Sequence, residues 1–374
     1  MMGVSCCPAY VIWDVTYACP LRCVHCYSES GRRESRRLGL DGMLRVADAL
    51  AELKPEGVAL AGGEPLAVRG IVRVAERLSR AGVPVTLYTG GWSLRPAMAR
   101  ELARVCAQVT VSLDGATAAV HDRVRGRAGS FQRAMNALGV LDATVDGAGR
   151  AGPGGPRAGG EFRFGIDCTL VRSNFGQMEE LCTAIAPRFP RMDFLAFGAA
   201  VPSGLASRPG FAVHELLTDD QAGRLSDPDL MSRLRDLAPA SVRVTMTDNR
   251  VLQMHPEWVA AGKVLSAMQI EPDGAVRAMP MYEGTVGNVL TEPVTVLWER
   301  AVARWDDPFV TAELSGVRTM AEWARATRRI DGRFGSPETR ERIARRPDLA
   351  APVAGGSPPR RPRPPVHLVP GEAS

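Results

Sequence analysis

Between residues 10 and 201 the chain alternates short apolar, β-branched runs with longer runs of helical period. The strand-like runs fall at 10–16, 57–60, 83–88, 108–113, 162–171 and 193–197. Helical runs at 41–54, 68–81, 96–105, 130–142 and 178–186 separate them. Strands that alternate with helices pair in parallel through right-handed crossovers. The predicted fold class is therefore α/β, a partial (β/α)6 barrel. In such folds the loops that carry function follow the C-terminal ends of the strands.

Each unusual motif sits at such an end. Cys19-Pro20-Leu21-Arg22-Cys23-Val24-His25-Cys26-Tyr27 follows the first strand, and Gly62-Gly63-Glu64-Pro65 follows the second. Thr89-Gly90-Gly91 follows the third, and Ser112-Leu113-Asp114-Gly115 closes the fourth. The alternation thus predicts that motifs far apart in sequence surround one mouth.

The remainder divides by composition. The barrel is expected over residues 1–215, with a flexible glycine-rich loop at 146–160. A small α+β appendage is expected over 216–310, from a helical run at 218–237, strands at 242–247, 267–270 and 275–278, and a helix near 294–304. Glu271-Pro272-Asp273-Gly274 between two of those strands is a hairpin signal. Residues 311–349 read as a helical segment, and 350–374 as a disordered proline- and arginine-rich tail.

Composition narrows the function. The apolar fraction of 45% allows a sizeable core. Much of the net charge of +5 comes from arginines in the tail, and no basic helix interleaved with aromatics suggests nucleic acid. No apolar run is long enough for a membrane span, and no signal peptide is evident. Of the eight cysteines, five cluster near the N-terminus and the rest are sparse, unlike an evenly stapled disulfide framework. A cytoplasmic location is the expectation.

Cys19, Cys23 and Cys26 have the spacing C-x3-C-x2-C. Three thiolates on one loop can converge on an inorganic centre and leave a fourth position open for chemistry. Iron–sulfur clusters built only for electron transfer are usually closed by four protein ligands. A zinc knuckle, or three unrelated cysteines, is the alternative on spacing alone. Gly62 and Gly63 let the backbone approach a ligand closely, or form an ordinary strand-to-helix turn with Pro65 in its first turn. Ser112 and Asp114 read either as ligand contacts or as turn chemistry.

Together, the cysteine spacing and Gly62-Gly63-Glu64-Pro65 resemble the radical S-adenosylmethionine (radical SAM) superfamily, over residues 10–201. The resemblance implies one [4Fe–4S] cluster on Cys19, Cys23 and Cys26. S-adenosylmethionine (SAM) would chelate the open iron through its amino and carboxylate groups. One-electron reduction would then yield a 5′-deoxyadenosyl radical that abstracts hydrogen from substrate. The same resemblance implies cofactor contacts from His25, Gly62, Gly63, Glu64, Pro65, Thr89, Ser112, Asp114 and Arg125. Arg125 would offer its planar fork to the SAM carboxylate. A cytoplasmic flavodoxin or ferredoxin would serve as reductant.

The appendage carries a second resemblance. Ile270-Glu271-Pro272-Asp273-Gly274, Met279-Pro280-Met281-Tyr282, Val286-Gly287-Asn288-Val289 and Val296-Leu297-Trp298 are similar to the SPASM extension of peptide-modifying members. That extension normally holds auxiliary clusters through several cysteines. Here Met279 stands where a cysteine is expected, and no cysteine follows Cys182. The expectation is a SPASM-like fold without auxiliary clusters.

The implied activity is radical modification of a peptide or peptide-derived natural product. With so short a stretch ahead of the first strand, a separate leader-peptide recognition protein is an expected partner. A small-molecule substrate (sugar, nucleoside or amino acid) is the alternative within the same chemistry, and a non-catalytic zinc protein lies outside it. Cys168, on the fifth strand, is a candidate hydrogen donor if it faces the barrel, and a core residue otherwise. The cluster Arg32, Arg33, Arg36 and Arg37 reads as a solvated face or as a contact for an acidic substrate or an electron donor.

Overall fold

The computed structural model describes residues 7–34, 36–148 and 161–349. Its first strand, β1 (Tyr10–Thr16), starts a run of parallel neighbours: β2 (Gly57–Gly62), β3 (Val85–Thr89), β4 (Gln108–Ser112), β5 (Arg163–Leu170) and β6 (Phe194–Ala199). Between them run α1 (Leu40–Leu53), α2 (Ile71–Arg80), α3 (Pro96–Val105), α4 (Ala118–Arg125), α5 (Ser130–Ala148) and the short α6 (Met178–Glu180). The parallel sheet is not closed by hydrogen bonds, so the expected partial barrel is present.

Strand alternation sorts the side chains. Val58, Leu60, Val85, Leu87, Val109, Val111, Phe164, Ile166 and Cys168 are buried in the apolar core. The residues of opposite parity, among them Ala59, Ala61, Thr86, Tyr88, Ser112, Asp167 and Thr169, line an internal cavity. The apolar residues pack outward under the helices, where Val46, Leu50, Val74, Leu78, Ala99 and Leu102 meet them. Cys168 therefore belongs to the layer between sheet and helices, which removes it as a hydrogen donor toward the cavity.

Several helices differ from the sequence expectation for local reasons. The predicted 68–81 helix begins as a 3-10 turn at Pro65–Ala67 and resumes only after Gly70, whose φ is +84°. α4 falls where no helical run was expected; Thr117 caps it at one end and Gly126 closes it at the other. α5 runs on to Ala148. The rest of the predicted 146–160 loop, and the predicted tail 350–374, lie outside the described residues. After α6 the chain passes into a π turn (Leu181–Ile185) and a 3-10 turn holding Pro187, which has no N–H for a helical bond.

The chain then continues through α7 (Pro209–His214), α8 (Asp219–Arg224), α9 (Pro228–Leu237), β7 (Arg243–Thr247), α10 (Pro256–Ala260), β8 (Ala267–Ile270), β9 (Ala275–Arg277) and β10 (Thr285–Asn288). It ends in α11 (Val294–Trp305), α12 (Pro308–Ser315), α13 (Met320–Phe334) and α14 (Pro337–Ala344). The single helix expected at 218–237 is two, because Asp227 caps a new helix at Pro228. β7 adds in parallel to β6, and β8 adds in parallel to β1 on the opposite edge. Strands of the appendage thus extend the barrel sheet at both ends. Gly274, at φ +87°, closes the expected hairpin between β8 and β9. No helix among the described residues is long and apolar enough to cross a membrane.

A buried charge network fastens these parts together. Arg277, fully buried, lies 2.8 Å from Glu271 and 3.6 Å from Glu283. Arg342 of α14 reaches Glu283 at 2.6 Å and also pairs with Glu29, beside the cysteine loop. Arg346 pairs with Glu29 at 2.7 Å. Removing one partner from such a network leaves an uncompensated buried charge. Arg277→Ala is expected to lower the unfolding free energy by about 3–5 kcal/mol in denaturant titration. An unchanged midpoint would show that the network contributes nothing net.

Candidate active site

The cysteine loop leaves β1 at Tyr17 and is closed by the Gly31 N–H donating to the Tyr17 carbonyl at 2.7 Å. Neighbours pin it on several sides. Arg22 N–H bonds the Arg125 carbonyl at 3.0 Å and Val24 N–H bonds the Val124 carbonyl at 2.9 Å, holding the loop on the last turn of α4. Leu205 N–H donates to the Cys26 carbonyl, and Arg208 Nη2 donates to the Val24 carbonyl at 2.9 Å.

The glycine motif supports the same loop. Gly63 N–H donates to the Thr16 carbonyl at 2.6 Å, and Glu64 N–H to the Ala18 carbonyl at 3.0 Å. A Cβ on Gly63 would collide with the Ala18 carbonyl, and one on Gly62 would stand 2.5 Å from the Thr16 oxygen. These glycines are thus required by the backbone of the cysteine loop, a closer neighbour than any ligand. Both still line the cavity. Pro65 is buried in the 3-10 turn and does not line it.

Glu64 joins two strand ends. Its Oε1 accepts from Thr89 Oγ1 at 2.7 Å and from Leu66 N–H at 3.2 Å, and its Oε2 accepts from Gly90 N–H at 3.0 Å. Burial pushes its carboxyl above the ordinary value, and these bonds oppose the shift.

Asp114 is the centre of a second arrangement. The Arg125 guanidinium spans its carboxylate, with Nη2 donating to Oδ1 at 2.8 Å and Nε 2.6 Å from Oδ2. His25 Nε2 lies 2.9 Å from Oδ2, and Thr169 N–H donates to Oδ1 at 2.9 Å. Burial alone would raise the Asp114 carboxyl, but Arg125, and then His25, hold it well below the usual carboxylate range. Asp114 is fully buried behind His25 and Arg125, and only those two of the three line the cavity.

Cys19, Cys23, Cys26, His25, Gly62, Gly63, Glu64, Thr89, Ser112 and Arg125 all line one cavity of about 780 Å³. All three cysteines are free thiols. Burial, then the charge of Cys23, pushes Cys19 up to about 12; burial pushes Cys23 up to about 11 against the pull of Arg125. Arg125 Nη1 stands 3.8 Å from Cys23 Sγ, and Leu21 N–H points at Cys19 Sγ from 3.4 Å. Binding of a cationic centre must therefore release protons from thiols already offered positive partners. Among the described residues no three His, Cys, Asp or Glu side chains converge closely enough for a single metal ion.

Several residues escaped the sequence reading. Asn174 accepts from Val171 N–H through Oδ1 at 2.8 Å and donates from Nδ2 to the Asp114 and Thr169 carbonyls. Gln269 donates to Asp14 Oδ2 at 2.9 Å and accepts from Met281 N–H at 2.6 Å, joining the appendage to β1. Tyr27 donates to the other Asp14 oxygen at 2.6 Å. Asp167 lines the cavity, and its carboxylate has no hydrogen-bond or ion-pair partner among the described residues. Burial, then the charge of Asp114, pushes its carboxyl up to about 6. Only its parity on a strand, opposite Ser112, marked it in advance.

Residues 13–145 match the model of the Radical SAM superfamily. Within the curated proteins the chain is 36% identical over 183 residues to the mycofactocin maturase MftC of Mycobacterium ulcerans, a match covering 49% of this chain and 45% of that protein. It is 33% identical over 143 residues to an AdoMet-dependent heme synthase of Methanosarcina barkeri, covering 38% and 41%. The matched region thus spans under half the length of either relative. Among solved structures, Streptococcus suis SuiB bound to S-adenosylmethionine shares the fold with a TM-score of 0.60 at 14% identity, over 84% of this chain and 68% of that one. The fold likeness reaches well past the matched domain into the C-terminal half.

His121 gives a pH test of the site's packing. Its Nδ1 accepts from Asp114 N–H at 3.0 Å, so the ring is needed neutral at that nitrogen. Burial, then the Arg125 charge, pushes it down to about 4 from 6.5. A depressed folded value means stability that is complete above about pH 6.5 and is lost as pH falls toward 4. His121→Asn is expected to be less stable than the parent at pH 7.5, with the gap narrowing by roughly 1–3 kcal/mol between pH 6.5 and 4 in urea titrations. A gap independent of pH contradicts this.

Gly63→Ala gives a second test. The variant is expected to fold with an unchanged far-ultraviolet spectrum but to retain less than about half the parental iron after anaerobic reconstitution, because the added methyl displaces Ala18. Parental iron content would contradict the proposed contact.

Proposed function

We propose that this protein is a radical SAM enzyme that abstracts hydrogen from a peptide or peptide-derived natural product. The observation that carries the reading is the meeting of Cys19, Cys23 and Cys26 with the Gly62–Glu64 turn, Thr89 and Arg125 around one cavity at the C-terminal ends of parallel strands. Cys19, Cys23 and Cys26 are the residues to hold a [4Fe–4S] cluster, and their thiols and the Arg125 charge favour an anionic, sulfur-rich group there. When bound, that cluster and SAM supply a 5′-deoxyadenosyl radical by one-electron reduction. The chain's own residues orient and enclose. Glu64 holds the second and third strand ends in register, leaving backbone groups of Gly62, Gly63 and Gly90 beside the cavity. His25 and Arg125 are locked by Asp114, so their cavity-facing atoms are fixed before any ligand arrives. Pro65 and Asp114 act in this reading from behind, by shaping the turn and the ion pair.

One cluster is assigned, since no cysteine follows Cys182 and Cys106, Cys168 and Cys182 are buried in the apolar core. The reading divides the chain at about residue 215 into the barrel and a SPASM-like appendage without auxiliary clusters. The peptide class is supported by similarity to a mycofactocin maturase and by the shared fold of SuiB, which has also been solved with precursor peptide SuiA. A separate leader-recognition protein and a flavodoxin or ferredoxin reductant belong to the same reading, as does a reducing cytoplasm. Similarity to a heme synthase favours a second reading, a small-molecule substrate.

Anaerobic reconstitution is expected to give a brown protein that forms 5′-deoxyadenosine from SAM with dithionite. Cys19→Ala, Cys23→Ala and Cys26→Ala are each expected to lower that product at least about 1000-fold. A colourless, zinc-loaded protein, or an active single variant, would refute the assignment. Incubation with precursor peptides and with tetrapyrroles separates the two substrate classes by which mass changes.

A further inference from the structure

The outer side of the cysteine loop is wrapped in guanidinium groups. Arg22 Nη1 donates to the Cys19 and Leu21 carbonyls at 3.0 and 2.7 Å. Arg127 Nη1 donates to the Pro20 carbonyl at 2.5 Å, and Arg32 Nη2 donates to the Arg22 carbonyl at 2.8 Å. Four consecutive carbonyls therefore each accept from an arginine. Arg127 also stacks on Trp92 at 3.9 Å, and Arg133 approaches the same ring from 5.2 Å.

Three arginines of this face differ from the adjoining basic residues. Arg33, Arg36, Arg277, Arg342 and Arg346 all stand in ion pairs with glutamates. Arg22, Arg32 and Arg133 have no carboxylate partner among the described residues. Burial, and then repulsion from Arg22, lowers the pKa of Arg32, as expected for cations gathered without counter-charge.

Arg22, Arg32 and Arg127 bond backbone carbonyls of the same loop that carries the three thiols. Reductive cleavage needs an electron from outside, and tunnelling falls steeply with distance. We propose that the guanidinium-covered face carrying Arg32, Arg127 and Arg133 docks an acidic one-electron carrier protein. The inference rests on the reading of Cys19, Cys23 and Cys26 as cluster ligands. One electron passes from the carrier's reduced centre to the group held by those thiolates; the carrier is oxidised by one electron, and no atom is transferred. Opposite charge on the partner raises the encounter rate and makes it sensitive to salt.

The test compares two reductants on the reconstituted protein: an acidic flavodoxin in its reduced form, and dithionite. The variant is Arg32→Gln, Arg127→Gln and Arg133→Glu combined. Glutamine removes the charge but keeps a polar side chain, dithionite reduction reports any damage to the loop, and Arg133 makes no bond to the loop among the described residues. Arg80→Gln, at the end of α2 away from the cysteine loop, is the control. The readouts are stopped-flow bleaching of the cluster absorbance, and fluorescence titration of oxidised flavodoxin onto the protein before cluster loading. Reduction by flavodoxin is expected to slow about tenfold or more in the triple variant at low salt, and in the parent at 0.5 M salt. Flavodoxin binding is expected to weaken in parallel, while dithionite reduces every form equally. A loaded triple variant that flavodoxin reduces at the parental rate overturns the docking proposal alone. Equal slowing with dithionite also overturns it, since the loop is then damaged. So does binding of an acidic peptide at this face that leaves flavodoxin reduction unaffected. A protein that takes up no iron chromophore overturns the cluster reading and the docking proposal with it.

Discussion

Asp114 is the point on which the candidate site depends. Its carboxylate is fully buried and would be costly there alone. Arg125 from α4, His25 from the cysteine loop and the Thr169 amide from β5 surround it. The same pairing that offsets its burial fixes the loop against the barrel, because Arg125 also reaches toward Cys23 and its carbonyl accepts from Arg22. His121 and Asn174 complete the shell around the Asp114 backbone. Such a node works only when every member is satisfied, and it then permits one arrangement of the three elements.

A parallel relation holds on the other side of the loop. Asp14 is bridged by Tyr27 and by Gln269, so β1, the cysteine loop and β8 share one buried carboxylate. Glu29 and Glu283 then take Arg342 and Arg346 from the C-terminal helical segment. The segment after the barrel therefore completes the wall of the site and braces the loop from outside. Ion pairs of this kind add little stability over an apolar core but exclude other packings. They add to the β1–β8 pairing that holds the hairpin region to the barrel.

The fold was readable because two periodicities are written locally. Period two in β2, β3 and β4 puts Leu60, Leu87 and Val111 on one face, and period 3.6 in α1 and α2 sets Leu50 and Leu78 against them. Where local signals conflict, the reading failed. The 218–237 run looked like one helix until Pro228 restarted it, and α4 was not expected because two of its three buried residues, His121 and Arg125, are polar. Asp114 read either as a ligand contact or as half of an Asp-Gly turn; the pairing that gives it another role comes in part from His25, 89 residues away.

The sequence by itself determined the strand–helix order and the placing of the three cysteines at one strand end. Both depend on residues near one another in the chain. Only the tertiary structure decided that Gly63 yields to the Ala18 backbone, that Cys168 faces the helices while Asp167 faces the cavity, and that β7 and β8 extend opposite edges of one sheet. Likewise it decided which arginines are neutralised and which stay uncovered around the cysteine loop. Charge pairing and sheet-edge pairing join residues distant in the chain, and nothing in their local sequence records the partner.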